Sequence, residues 1–515
     1  MTPGPEARSG AAAGRLSRIP FYPIAMATAY VLSVAFADDV VPAGFVRSLF
    51  WTLALVAGVS LLAVAVTRHP ARGALWGFAV LLLVASREWL VQLVALLNRT
   101  FGDLAISAFG VIVVVAGALA ILVVAVARRH RGRALLPVTR ALNILSLALL
   151  GIVAVGAIPD VPSWFASREP SAEPAAADLP NIYLVLLDGY PRADVLLDRF
   201  GIDNSAFLSQ VEEMDFRVSE TSHSNYTFTL LTLTSLFEAD YIPLADDRGE
   251  ALTQGAVRAG FDRAALRGTA IRALRAVGYR LAASAEGFEH VSTRTAADIF
   301  MERPELTDLE MLLLRSTWLI DLPFVPSDWL IAEQRNRING IYEDGERLAL
   351  DPPDGPMLAL IHVPSPHAPI VFGRDGGPVP WGSRQFGAAF AEEYGISQAA
   401  FLEAYEDQLV YLNQRALGLL RQIRTSDPGA VVMLFSDHGT ASEPWSDPRE
   451  QLPNLLATRM PGDPLSAEEA STPMNVMRAI LGRYAGFTAP PLPDRYWVAR
   501  EDDGLIVVAE STPLR

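Results

Sequence analysis

The 515-residue chain contains no cysteine, which excludes a disulfide framework, a cysteine-based zinc site and a thiol nucleophile. Lysine is absent too, so all 42 basic residues are arginine. Charged residues make up only 19% while hydrophobic ones reach 51%, and mean hydropathy is +0.26. Such values speak against a disordered chain and against an ordinary soluble enzyme. Positive charge is scarce over most of the length, because residues 161–515 hold 29 arginines against 51 acidic side chains. Nucleic acid is therefore not an expected partner. Residues 1–160 have the opposite balance, 13 arginines against 6 acidic residues. A basic, apolar first third before an acidic remainder reads as a membrane anchor followed by a water-exposed domain.

Five apolar stretches are long enough to be expected as membrane spans: Phe21–Ala37, Ser48–Val66, Gly73–Leu97, Leu104–Ala127 and Ala141–Ile158. The third carries Arg87 and Glu88, charges that must point into a bundle or toward an interface. Arginines cluster in the N-terminal tail (Arg8, Arg15, Arg18), the second loop (Arg68, Arg72) and the fourth (Arg128, Arg129, Arg131, Arg133, Arg140), whereas the first loop carries Asp38 and Asp39. The expectation is a multi-pass cell-membrane protein with its N-terminus cytoplasmic and its C-terminal domain extracytoplasmic. The domain plan is a five-helix transmembrane bundle over 1–160, a Pro- and Ala-rich linker over 161–180, an extracytoplasmic domain over 181–490 with an insertion near 240–350, and a hairpin and tail over 491–515.

From residue 180 onward, short unbroken apolar runs alternate with helical patterns such as Arg263–Val277 and Ala399–Arg424. That grammar predicts an α/β domain with a mostly parallel central sheet. Three runs end in polar residues suited to a metal: Asn181–Leu187 before Asp188-Gly189, Met357–Ile361 before His362 and His367, and Val431–Phe435 before Ser436-Asp437-His438-Gly439. Ligand groups collect at the carboxyl ends of such strands. The chain has only seven histidines, and His223, His362, His367 and His438 all fall in or beside these clusters. Carboxylates with an imidazole suit Mn²⁺ or Zn²⁺ first, with Mg²⁺ and Ca²⁺ as further candidates. A hydroxyl-rich loop, Thr221–Thr229, runs into an apolar helix. A Ser or Thr there, beside a metal and a helix N-terminus, is a candidate nucleophile.

The runs 180–194, Phe435–Thr440 (FSDHGT), 362–369 and 455–462 resemble, in that order, the opening strand, metal motif, His-rich loop and following strand of the sulfatase and alkaline phosphatase superfamily. The architecture is similar to lipoteichoic acid synthases and lipid A phosphoethanolamine transferases, which also join five spans to an outer catalytic domain. The resemblance implies that Asp188, Asp437 and His438 hold one divalent cation and that His367 contacts the transferred group, with His362 a weaker candidate for that task. The chain departs from sulfatases in lacking the C/S-x-P-x-R motif that yields formylglycine. A gap-free register places Asn225 at the nucleophile position, and a slipped register offers Thr229, Thr227 or Ser224 instead. His223 could serve as a base, and Arg192 could supply positive charge for an anionic substrate.

The expected function is metal-dependent hydrolysis or transfer of a phosphate or sulfate ester on an envelope lipid or glycopolymer. The alternative is a catalytically degenerate sulfatase-fold scaffold in the membrane, which Asn225 favours and the intact Asp188, Asp437 and His438 set opposes.

Overall fold

In a computed structural model, the structure describes residues 19–37, 42–87, 117–119, 121, 123–125, 135–156 and 179–512, apart from 244–249, 285–292, 302–305, 319–324, 382–389, 441–446, 488–489 and 503–504. The chain forms two compact units, one of residues 1–162 with 306–327, the other of 163–305 with 328–515.

The first unit contains the apolar helices α1 (Tyr22–Ala37), α2 (Pro42–Thr67), α3 (Pro70–Val84) and α4 (Leu136–Gly156). Two stretches are long and apolar enough to cross a membrane, Gly44–Thr67 and Leu136–Val155, while Tyr22–Ala35 and Pro70–Val84 are shorter. The expected five-span bundle is thereby corrected to two candidate spans among the described residues. The reasons differ: the first stretch is helical over nearly its whole length but short, whereas in the third the apolar run outlasts the helix. At 1.5 Å per residue the shorter helices reach only about 21–23 Å, less than a bilayer core. In the third stretch α3 closes at Val84, just before Arg87, with the Ala85 N–H returning to the Leu81 carbonyl. Most of the fourth stretch lies outside the described residues, as does 161–178 of the linker. Phe50, Trp51, Leu61, Leu62 and Val66 of α2 and Ile144 and Ile152 of α4 are exposed. An apolar surface of that extent is stable in lipid rather than in water, which makes the protein membrane-embedded.

A short return helix, Asp308–Arg315, belongs to this unit although it lies far along the chain. It starts with a reciprocal cap between Thr307 and Glu310. Leu309 and Leu313, four residues apart and so on one face, pack with Val31 and Ala35 of α1. Glu310 pairs with Arg47 of α2, the Tyr30 and Ser316 hydroxyls lie 2.7 Å apart, and Arg87 donates to the Arg315 carbonyl at 3.0 Å.

The second unit is built on a seven-stranded sheet of order β2-β8-β7-β1-β6-β4-β5. Its strands are β1 (Ile182–Leu187), β2 (Arg217–Val218), β4 (Arg280–Ser284), β5 (Ile299–Met301), β6 (Met357–Val363), β7 (Val431–Phe435) and β8 (Leu456–Arg459). Strands β7, β1, β6, β4 and β5 run parallel, and β8 runs antiparallel between β7 and β2. The sheet is thus mixed but largely parallel. Strand β1 shows why its sequence is an unbroken apolar run: Tyr183, Val185 and Leu187 enter one core, and Ile182, Leu184 and Leu186 enter another. Helices α6 (Trp329–Leu350) and α7 (Gln398–Ser426) cover the first face, and α5 (Thr229–Glu238) helps cover the second. The helix expected over Arg263–Val277 is two helices, Gln254–Arg267 and Thr269–Ala276. They part at Gly268, where a Cβ would stand 2.5 Å from the Ala264 and Phe237 carbonyl oxygens. Strands β4 and β5 and helix α6 all come from the stretch expected as an insertion. A separate three-stranded sheet joins β3 (Glu250–Thr253) to the C-terminal pair β9 (Tyr496–Asp502) and β10 (Leu505–Ser511).

Candidate metal centre

Three neighbouring parallel strands, β7, β1 and β6, bring their carboxyl ends to one place. Beyond β1 the Asp188 N–H donates to the Val363 carbonyl. Gly189 then takes φ +72, a conformation that favours glycine, and its N–H donates to Asp437 Oδ1 at 3.1 Å. Beyond β7, Ser436 Oγ accepts from the Tyr190 N–H at 2.8 Å and donates to the His438 carbonyl at 2.5 Å. Two loops are locked together in this way, and one ligand atom each from Asp188, Asp437 and His438 lie within 4.8 Å of one another. All three residues are buried.

His362 is fully buried in β6, level with Leu186 of β1, and its Nε2 lies 3.1 Å from Asp188 Oδ2. Burial opposes a charge on Asp188, but the His362 hydrogen bond and the surrounding imidazoles outweigh it and hold the carboxyl below its ordinary range. Its other oxygen, Oδ1, is buried with no hydrogen-bond partner among the described residues. A charged, orphaned oxygen in such a place is costly unless a cation meets it. His438 Nδ1 lies 2.6 Å from the Gly439 carbonyl, so Nδ1 carries the proton and Nε2 presents its lone pair. That Nε2 stands 3.2 Å from Asp437 Oδ2 and 3.3 Å from Thr229 Oγ1. Burial depresses the His438 pKa, yet the Asp437 and Asp188 carboxylates prevail and raise it. Two carboxylates, one correctly presented imidazole nitrogen and an orphaned oxygen fit a divalent cation.

Thr229 is the first residue of α5, whose N-cap, Phe228, provides no side-chain cap. The other expected hydroxyls are held elsewhere. Thr227 Oγ1 accepts from the Ala499 N–H at 2.9 Å, and Ser224 Oγ donates to the Tyr226 carbonyl at 2.7 Å. Asn225 Nδ2 donates to the Arg495 carbonyl at 3.0 Å. His223 meets the edge of Tyr496, and Arg192 grips Asp194 and the Ser222 carbonyl. His367 is half-buried with its ring centroid 6.4 Å from that of His438, and its Nδ1 lies 2.9 Å from the Ala368 carbonyl. The structure therefore gathers Asp188, Asp437, His438, Thr229, His362 and His367, and leaves Ser224, Asn225 and Thr227 in other contacts.

Two supporting residues escaped the sequence reading. Thr232 Oγ1 lies 3.1 Å from the Asp437 carbonyl, and its place three residues after Thr229 was the available signal. Asn454 donates to the Ser436 carbonyl, and nothing in its local sequence marks it.

No protein-family model and no curated protein matches the sequence. Among solved structures, the chain is similar to the integral membrane lipooligosaccharide phosphoethanolamine transferase A from Neisseria meningitidis. Identity there is 13% and the TM-score 0.42, over 91% of this chain and 95% of that one. It is similar to the C-terminal periplasmic domain of EptC from Escherichia coli at 13% identity and TM-score 0.39, covering 66% of this chain and 96% of that one. A putative sulfatase from Bacteroides thetaiotaomicron matches at 13% identity and TM-score 0.39, over 61% of this chain and 72% of that one. Likenesses at this level are distant and assign no activity to this chain.

Proposed function

We propose that the protein is a membrane-embedded, metal-dependent enzyme of sulfatase or alkaline phosphatase type. It transfers or hydrolyses a phosphate or sulfate ester of an envelope lipid or glycopolymer, with its second unit extracytoplasmic. The observation that carries this reading is the Thr229 hydroxyl 3.3 Å from His438 Nε2, on the rim of the Asp188, Asp437 and His438 cluster. Asp188, Asp437 and His438 would hold a divalent cation, Mn²⁺ or Zn²⁺ by the donor set, which when bound would supply Lewis acidity toward a non-bridging ester oxygen and lower the pKa of a neighbouring hydroxyl. Asp188 and Asp437 provide the negative charge that binds it, and His362 orients Asp188. Thr229, its proton passing to solvent, attacks the ester centre as the bond to the leaving oxygen breaks, the start of α5 faces the charge that develops, and the group then passes from Thr229 to water or an acceptor hydroxyl. His367 gives a proton to the leaving oxygen. A phosphorus centre is preferred over sulfur because the formylglycine motif is absent. The scaffold alternative rested on Asn225 as nucleophile-position residue; with its amide on the Arg495 carbonyl and Thr229 beside His438, the enzyme reading is better supported.

The test uses the full-length protein in detergent with Mn²⁺, Zn²⁺, Mg²⁺ and Ca²⁺ in turn, measuring bound metal and turnover of phosphodiester, phosphomonoester and sulfate-ester substrates. Asp437→Ala is expected to lose metal. Thr229→Ala is expected to keep it and lose turnover by roughly 10³-fold or more. Undiminished turnover in Thr229→Ala removes Thr229 from the chemistry, and absence of bound metal in the wild type sinks the metalloenzyme.

A further inference from the structure

The three residues that lead into α5 are attached to the C-terminal hairpin rather than to the central sheet. Asn225 Nδ2 donates to the Arg495 carbonyl at 3.0 Å, and the Trp497 N–H donates to the Asn225 carbonyl at 2.8 Å. The Thr227 N–H donates to the Trp497 carbonyl at 3.2 Å, and Thr227 Oγ1 accepts from the Ala499 N–H at 2.9 Å. Tyr226 pairs with Trp497 as a parallel bridge, and the two rings stack with centroids 4.9 Å apart and planes within 10°. The Arg495 guanidinium also lies over the Trp497 ring, 4.9 Å from its centroid. Residues 225–227 thus add a short strand to the edge of β9 that β10 leaves open.

The segment just before them is tied differently. The Ser224 N–H donates to the Leu452 carbonyl, the His223 N–H to the Ser471 carbonyl, and Ser222 Oγ to the Asn454 carbonyl. The loop is anchored at 222–224 beside the metal strands and at 225–227 on the hairpin, and Thr229 follows two residues after the second anchor. With no side-chain cap on α5, that second anchor fixes the direction in which the chain enters the helix.

We propose that β9 is the positioning element for Thr229, with Trp497 and the Thr227 hydroxyl as its positioning residues. The proposal rests on the placement of Thr229 at the metal centre argued above. Neither residue touches the metal ligands; they act through the register of residues 225–227. Loss of either leaves Asp188, Asp437 and His438 able to bind a cation while the side chain at position 229 no longer reaches it.

The absence of cysteine makes a direct optical test available in the full-length protein. In Thr229→Cys the chain has one thiol, and Co²⁺ at the centre reports twice. Visible ligand-field bands show that the ion is bound, and a near-ultraviolet thiolate-to-cobalt charge-transfer band shows that residue 229 reaches it. Adding Thr227→Val or Trp497→Leu is expected to weaken the charge-transfer band by roughly fivefold, as loss of the Ala499 hydrogen bond in the first and of the Tyr226 ring stack in the second implies, with the ligand-field bands retained. Trp497→Phe keeps a ring on Tyr226 and is expected to restore the band. A charge-transfer band that stays at full strength in Thr227→Val, the variant least disturbing to packing, overturns the proposal. If Thr229→Cys alone binds Co²⁺ without a charge-transfer band, the placement of Thr229 fails, and the positioning role fails with it. If Asp437→Ala leaves the ligand-field bands intact, the metal centre itself is wrong.

Discussion

At the scale of single residues, two histidines carry opposite kinds of prediction. His362 sits under Asp188, where its Nε2 supports the carboxylate at 3.1 Å. Replacing it with phenylalanine keeps the bulk and removes the hydrogen bond, and metal affinity is expected to fall by about 10–100-fold in a calorimetric titration. Unchanged affinity would mean that Asp188 needs no such support. His223 instead affects stability. Burial, and then the nearby Arg192 guanidinium, push its pKa down from 6.5 to about 4, while Asp494 and Asp194 pull weakly the other way. The folded value lies below the unfolded one, so the unfolded chain takes up the proton first as the solution is acidified. The stability contributed by neutral His223 is complete above pH 6.5 and drains away as the pH falls toward 4, by up to about 3 kcal/mol. Thermal melts of wild type and His223→Phe at pH 7 and pH 5 are expected to show a smaller acid loss in the variant. Equal losses would remove His223 from the acid response. The cluster of Asp188, Asp437 and His438 was legible because each lies within three residues of the end of an apolar strand. Which hydroxyl lies beside the cluster stayed open among Thr229, Thr227 and Ser224, because a gap-free register cannot foresee that 225–227 leave the helix line and pair with a strand 270 residues away.

At the scale of elements, what the sequence revealed depended on whether burial alone decides the structure. Strands β1, β6 and β7 are buried along their whole length, so an unbroken apolar run was sufficient signal. The helix over 398–426 matched its expected pattern to within two residues at each end. The break at Gly268 was hidden, since glycine inside a helical pattern is usually tolerated, and only the approach of the Phe237 carbonyl shows why no side chain fits. Gly268→Ala is expected to destabilise the second unit by about 2 kcal/mol, because backbone oxygens on two sides cannot yield as side chains do. A denaturant midpoint equal to wild type would show that the two helices can move apart at little cost. Apolar runs in the first third misled for a related reason. Hydropathy measures what a segment can tolerate, whereas a span also needs an unbroken helix of sufficient length: α1 is too short, and α3 closes before its apolar run does.

At the scale of the molecule, the chain belongs to its membrane unit twice, over 1–162 and again over 306–327. The apolar run Met311–Trp329 read equally as a lid, a membrane-dipping segment or plain core, because the contacts that decide it are made with α1 and α2 side chains more than 260 positions earlier. Glu310→Arg places a cation against Arg47, and the return helix is expected to loosen, read as faster amide exchange over 308–315. Exchange at the wild-type rate would show that Leu309 and Leu313 alone hold it. A domain hung on one linker can be shed by a single proteolytic cut. Here a cleavage site introduced into 161–180 is expected to leave both fragments eluting together in detergent, and to separate them only when Glu310→Arg is added. Ordinary nicking at the linker, then, is not a route by which this protein could be turned from a resident of the membrane into a diffusing factor.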